Sequence, residues 1–193
     1  SFYAHVPGLK VVVPSTPADV KGLLFTAVED PDPVMFLEPK KLYRLAKGPY
    51  PKGEHRVPLA RAAIRHQGED LTIIAYGAMA HIAVEAASLL EELDISPEVI
   101  DLRSLKPLDW PTIEASVKKT SRALIVYEDN EFAGYGAELA AQIADKTFEW
   151  LDAPVRRYAL PDVPIMPYAG PLENELYPTP EGIVRKAQEL AKY

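Results

Sequence analysis

Between Asp70 and Val126 the chain reads DLTIIAYGAMAHIAVEAASLLEELDISPEVIDLRSLKPLDWPTIEASVKKTSRALIV, and this stretch decides the fold. Leu71 to Ala75 (LTIIA) is an uncharged run with the character of a buried strand. Ile82, Ala86, Leu89, Leu90 and Leu93 then recur at helical spacing. Pro97 to Leu102 returns to strand character. Asp109 stands where an N-cap would open a helix over about Trp110 to Lys119, and Ala123 to Val126 (ALIV) is again a buried strand. Strands that alternate with helices are brought back side by side and parallel, because each helix carries the chain across one face of the sheet.

The alternation continues in both directions. Downstream, Ala137 to Phe148 reads as a helix bearing Leu139 and Ile143, and Val155 to Leu160 as a strand. After a proline-rich stretch, Thr179-Pro180-Glu181 opens a last helix whose apolar face is Ile183, Val184, Ala187, Leu190 and Ala191. Upstream, Leu9 to Val13 is a strand that stops at Pro14. Thr16 caps a helix with Pro17 first and Asp19 in its first turn, followed by Val20, Leu23, Leu24, Ala27 and Val28. Glu29 to Pro33 breaks it, and Val34 to Leu37 is the next strand. The predicted fold class is α/β: a doubly wound, mainly parallel sheet over about 68–193, preceded by a strand–helix–strand unit over 9–38 that reads as the remnant of another domain. Residues 39–69, rich in Pro and Gly and without clean periodicity, make a long connection that holds the domain boundary.

Composition bounds the function. The 193 residues are 48% hydrophobic and 25% charged, the average of a globular chain. Lys and Arg number 21 against 28 Asp and Glu, a formal charge of −7. That sign disfavours phosphate backbones and anionic membranes, so no nucleic acid and no membrane is expected as partner. The absence of Cys excludes disulfides, thiolate nucleophiles and Cys-ligated zinc. Apolar runs are far shorter than the ~20 residues that span a bilayer. A soluble, acidic, cytoplasmic protein is expected. The chain begins at Ser1 and runs straight into a strand, as an internal start would.

Chemistry-bearing motifs are few. Gly134-Tyr135-Gly136 precedes a helix but lacks the spacing of a dinucleotide fingerprint, position 139 being Leu, and reads as a tight turn into that helix. Glu29-Asp30-Pro31-Asp32 lacks calcium-loop spacing and reads as a solvated acidic turn whose backbone carbonyls could take a monovalent cation. His5, His55, His66 and His81 show no metal-ligand spacing. His81 reads as a solvated helix-end residue. Tyr127 to Glu131 sits at a strand end, where a binding crevice or a subunit contact is equally expected. Residue by residue, no self-contained catalytic constellation emerges.

Several blocks together match a family pattern. They are His5-Val6-Pro7-Gly8-Leu9-Lys10-Val11-Val12, Pro14-Ser15-Thr16-Pro17, Lys21-Gly22-Leu23-Leu24, Asp30-x-Asp32-Pro33-Val34, Phe36-Leu37-Glu38-Pro39-Lys40 and Leu42-Tyr43-Arg44. Ile100-Asp101-Leu102-Arg103, Pro107-x-Asp109 and Leu151-Asp152-Ala153-Pro154 complete the set. In order and spacing the sequence resembles the C-terminal portion of the β subunit of the E1 component of 2-oxo acid dehydrogenase complexes. The resemblance implies a pyrimidine-binding-domain remnant over 1–45, a linker over 46–67 and a domain of the transketolase C-terminal type over 68–193.

It also implies an α2β2 enzyme that uses thiamine diphosphate and Mg²⁺, decarboxylates a 2-oxo acid and passes the acyl group to lipoyl-E2. The partners implied are the E1 α subunit, a second β subunit and the basic peripheral subunit-binding domain of E2. The family's active-site His falls before Ser1 and its activating Glu further upstream. His5 aligns with another histidine, so no catalytic and no cofactor-binding residue is assigned, and the fragment alone is expected to be inactive. Ala27, Val28, Asp30 and Asp32 match a K⁺ site; Asp152 and the carboxylate of Tyr193 match docking positions for E2. Pyruvate is favoured as substrate by Ile73 to Met79, and a branched-chain 2-oxo acid is the alternative. A non-catalytic interaction module, and a flavodoxin-like small-molecule binder by fold analogy, are the competing expectations.

Overall fold

A computed structural model describes residues 1–164 and 166–193. The LTIIA run forms β4 (Leu71–Ala75), the centre of a five-stranded sheet, with all five residues buried. β5 (Pro97–Asp101) and β7 (Ala123–Asn130) flank it in parallel, so that Ile73 lies opposite Val99 on one side and Leu124 on the other. β8 (Arg156–Leu160) continues the sheet in parallel beyond β7, and β3 (Ala63–His66) closes the other edge antiparallel to β5. The order is β3-β5-β4-β7-β8. A strand covered on both faces has no polar side to present, which is why β4 and the start of β7 carry apolar residues without strict alternation.

Helices cover both faces, as the doubly wound reading requires. α3 (Ala78–Glu91) and α7 (Pro180–Leu190) pack on the face of Ile73, Val99, Leu124 and Val126. α4 (Trp110–Thr120) and α5 (Tyr135–Lys146) pack on the face of Ile74, Ile100 and Ile125. Thr16, Asp109 and Thr179 accept hydrogen bonds from the N–H groups of Asp19, Thr112 and Gly182, and each is followed by Pro in the first turn. These are the caps that the residue types predict.

Upstream, β1 (Lys10–Val12) and β2 (Val34–Phe36) are parallel and joined by α1 (Pro17–Glu29). A short α2 (Leu42–Leu45) follows. β1 also pairs antiparallel with β6 (Ser104–Lys106), so the second sheet, β2-β1-β6, takes one strand from beyond β5. Buried ionic contacts reinforce the join. Arg65 on β3 donates to Asp101 Oδ2 from Nε at 3.0 Å and Nη2 at 2.7 Å, and pairs with Asp19 of α1. Arg103 Nη1 reaches Asp19 at 2.9 Å, and His81 Nε2 donates to the Ser15 carbonyl at 2.7 Å.

Several elements depart from expectation. In α3 the sheet-facing residues are Met79, Ala83, Ala86, Ala87 and Leu90, while Leu93 is 47% exposed. Alanines let this helix approach the sheet closely with α7 against its flank, while Met79 and Leu90 fill the space that remains. β7 runs on to Asn130, held by pairing with Leu160 of β8. α5 starts at Tyr135 and stops at Lys146, and Phe148–Trp150 forms a 3-10 turn. β3 and β6 fall in stretches with no strand signal of their own, because edge strands of three or four residues carry too little periodicity to read.

Candidate functional site

The strand-end region is built around Tyr127, whose ring is fully buried. A Cβ at Gly136 would lie 2.0 Å from Tyr127 Cε1, and one at Gly134 would lie 2.0 Å from the Asn130 carbonyl oxygen. The two glycines therefore let α5 approach β7, and the space a phosphate would need is filled by the tyrosine. Tyr135 donates to the Leu105 carbonyl at 2.5 Å and meets Tyr76 edge to face at 6.0 Å. Burial raises the Glu128 carboxyl above its ordinary range, against a lowering contribution from its hydrogen bond with Tyr177. Lys41 lies over the Tyr177 ring at 5.4 Å.

His5 lines a cleft of about 520 Å³ together with Ser1, Ala4, Lys106, Gly134 and Glu138. The ammonium of Lys106 donates to the carbonyls of Ala4 and Val6, both at 3.0 Å. His81 is not merely solvated: its bond to Ser15 ties α3 to the segment that opens α1.

The acidic turn after α1 contains its own cation. Lys10 Nζ donates to Asp30 Oδ1 and Oδ2 at 2.6 and 2.8 Å and stands 3.0 Å from Asp32 Oδ2. Asp30 in turn accepts the backbone N–H of Asp32 at 2.9 Å. The hydrogen bond from Lys10, followed by that from Asp32, holds the Asp30 carboxyl below the usual carboxylate range. Ala27 and Val28 lie in the last turn of α1, where carbonyls have no intrahelical partner.

Asp152 and the end of α7 come together through a residue with no sequence signal. Arg122 Nη1 stands 3.7 Å from Asp152 Oδ2, and Arg122 Nε donates to the Leu190 carbonyl at 3.2 Å. The same carbonyl accepts the N–H of Tyr193 at 3.2 Å. Asp152 is 59% exposed in its side chain. An exposed carboxylate and the negative end of a helix thus lie on either side of Arg122.

Thiamine diphosphate would need a divalent cation held by oxygen ligands next to its phosphates. Among the described residues there is no group of three or more His, Cys, Asp or Glu side chains placed to hold a metal ion. The Gly134 to Gly136 turn is packed by Tyr127, which leaves no space there for a phosphate. These residues do not fit the metal–diphosphate half of that cofactor. No described helix is long and apolar enough to cross a membrane.

An open, doubly wound sheet with helices on both faces, joined to a parallel strand–helix–strand unit, places the chain in the doubly wound α/β class, which hosts many activities. Comparison with known sequences makes this specific. The family described as "Transketolase, C-terminal domain" matches residues 60–183, and "Transketolase, pyrimidine binding domain" matches residues 1–46. The chain belongs to the transketolase C-terminal domain family.

Three relatives come from Bacillus subtilis (strain 168). 2-Oxoisovalerate dehydrogenase subunit beta is 42% identical over 193 residues, covering 100% of this chain and 59% of the relative. Pyruvate dehydrogenase E1 component subunit beta is 44% identical over 190 residues, covering 98% and 58%. The beta subunit of acetoin:2,6-dichlorophenolindophenol oxidoreductase is 44% identical over 189 residues, covering 98% and 55%. The chain thus spans a little over half the length of these relatives. Among solved structures, a split-gene transketolase described as an inactive β4 tetramer superposes with a TM-score of 0.81 at 25% identity, covering 98% of this chain and 59% of that one.

Proposed function

We propose that this chain is the C-terminal part of the E1 β subunit of a thiamine-diphosphate-dependent 2-oxo acid dehydrogenase. In the whole enzyme a 2-oxo acid is decarboxylated and its acyl group passed to lipoyl-E2, with thiamine diphosphate and Mg²⁺ held by other segments and by the E1 α subunit. This part serves assembly with the α subunit and a second β subunit, and docks the basic subunit-binding domain of E2 through Asp152 and the carboxylate of Tyr193. The observation that carries the proposal is end-to-end similarity: relatives named as β subunits of such dehydrogenases match the full chain with its blocks in order. The clustering of Asp152 with the end of α7 supports the docking role.

Pyruvate is the preferred substrate from the sequence of Ile73 to Met79, yet Ile73, Ile74, Ala75, Ala78 and Met79 are buried in the sheet and α3 and expose no surface that could select a substrate. Identities of 42% and 44% to branched-chain and pyruvate subunits support the two readings alike. A cytoplasmic location belongs to the same proposal and is in keeping with the Bacillus relatives. A K⁺ ion at Ala27, Val28, Asp30 and Asp32 would use the unpaired end of α1, with Lys10 as its competitor for the two carboxylates.

The decisive experiment is reconstitution. The gene product containing this chain is purified with and without an E1 α subunit, and 2-oxo acid decarboxylation is measured with thiamine diphosphate and Mg²⁺. Turnover is expected only with both subunits; turnover by the β chain alone, or failure of the two to assemble, would overturn the proposal. In the same assembly Asp152→Lys is expected to weaken binding of the E2 domain, and unchanged affinity would remove the docking role.

A further inference from the structure

The two docking positions come from distant parts of the chain, and one guanidinium joins them. Arg122 follows Ser121, the left-handed residue (φ 58°) that ends α4, and the Ser121 carbonyl accepts the N–H of Asp152 at 2.9 Å. The Asp152 backbone is thus pinned at the foot of β7, while its carboxylate reaches outward. Arg122 is largely covered, at 22% side-chain exposure, whereas the Asp152 side chain is 59% exposed. From that position one edge of the guanidinium holds the Leu190 carbonyl and another faces Asp152. Leu190 is the last residue of α7, and its carbonyl also receives the N–H of Tyr193. A planar, permanently charged fork can satisfy two acceptors at a fixed angle, which a flexible ammonium cannot do.

We propose that Arg122 is the positioning residue of the docking face: it sets the separation of the Asp152 carboxylate and the negative C-terminal end of α7, so that one rigid basic domain engages both. The proposal rests on the docking role assigned above. Arg122 does not consume Asp152, since 3.7 Å is a loose pairing and the carboxylate stays open to solvent. It complements the negative end of α7 and keeps that end from fraying away from Asp152. The partner it prepares for is a small protein module presenting two or more Arg or Lys side chains from a fixed scaffold.

The test uses the full β chain assembled with its α subunit, and the subunit-binding domain of its E2 as probe. Dissociation constants are measured for the native protein, Asp152→Asn, Arg122→Met, the double variant and a form lacking Tyr193, each with its thermal midpoint. Arg122→Met is expected to weaken binding by about tenfold with the midpoint retained, and Asp152→Asn is expected to cost less in that background than in the native one. The ion pair alone couples Arg122 to Asp152, so the positioning role is read from a loss of affinity with the midpoint retained, and from the same loss in a variant that keeps the charge. Arg122→Lys keeps the charge and the aliphatic stem but loses the second contact, so it should show the same loss of affinity even where the Met variant folds poorly. If Asp152→Asn and loss of Tyr193 weaken binding while the Arg122 variants leave it unchanged or add independently, the positioning role is overturned and docking stands. If none of the variants changes affinity, the docking role falls and this proposal with it.

Discussion

Arg65 Nη2 stands 2.7 Å from Asp101 Oδ2 in the interior of the protein, and the Asp101 side chain is wholly buried. Asp101 ends β5, Arg65 lies on the edge strand β3, and the same guanidinium pairs with Asp19 on α1. One side chain thus links the five-stranded sheet to the upstream strand–helix–strand unit. An ion pair of this kind adds little net energy over an apolar substitute, but losing one partner strands the other in a low-dielectric site.

Arg65→Met should therefore destabilise the protein by about 3 kcal/mol, because Asp101 keeps a buried charge without its cation. Combining it with Asp101→Asn should recover part of the loss. Urea unfolding of the three proteins checks this; equal and additive losses would mean that the two residues do not act as a pair.

The two acids that share Arg65 should pull acid stability in opposite directions. Burial pushes the Asp19 carboxyl up, but the Thr16 hydroxyl, Arg103 and Arg65 outweigh it and leave it below its ordinary 3.8. Its contribution is complete above that unfolded value and is lost as pH falls through the lower folded one. Asp101 is raised by burial, despite Arg65 and Ser15, so its cost to the folded state is relieved as pH falls through its elevated value. Thermal midpoints measured across the acid range should show Asp19→Asn flattening the loss below about pH 4. An unchanged acid limb would rule out the Asp19 contribution.

Gly136→Ala should cost about 2 kcal/mol, since its new methyl group meets the buried Tyr127 ring at 2.0 Å. In a Tyr127→Leu background the same change should cost less. No nucleotide should raise the thermal midpoint of the native protein, because the turn serves packing. Midpoint stabilisation by a dinucleotide would contradict that assignment.

Exchange of K⁺ for a bulky organic cation should lower the midpoint modestly if the end of α1 holds the ion, following the usual dependence on ligand concentration. Asp30→Asn should abolish the effect. Lys10→Met should make it steeper, because the ammonium 2.6 Å from Asp30 no longer competes. A midpoint indifferent to K⁺ in all three proteins would remove the site.

What could be read in the sequence depended on how local its cause was. Thr16, Asp109 and Thr179 each bond an N–H three residues ahead, so their caps were legible from neighbouring residues. LTIIA and ALIV are buried on both faces and announce themselves by composition. On α3 the expected stripe met the sheet at Ala86 and Leu90; Ala83 and Ala87 were missed because alanines carry little hydrophobic weight and their value lies in the closeness they permit. Lys10 could have been matched with the acidic turn only by knowing that β1 and β2 lie side by side.

By itself, therefore, the sequence determined the alternating α/β order, the helix boundaries with side-chain caps and the family pattern, all properties of short windows or of residues in series. Tertiary structure alone decided that Ser104 to Lys106 would join β1, that Arg65 would sit between Asp19 and Asp101, and that Arg122 would bring Asp152 to the end of α7. Such contacts join residues far apart in the chain. No local propensity encodes them; packing the elements together brings those groups face to face, and for Arg65, Asp19 and Asp101 it does so away from bulk water, where an unpaired charge is costly.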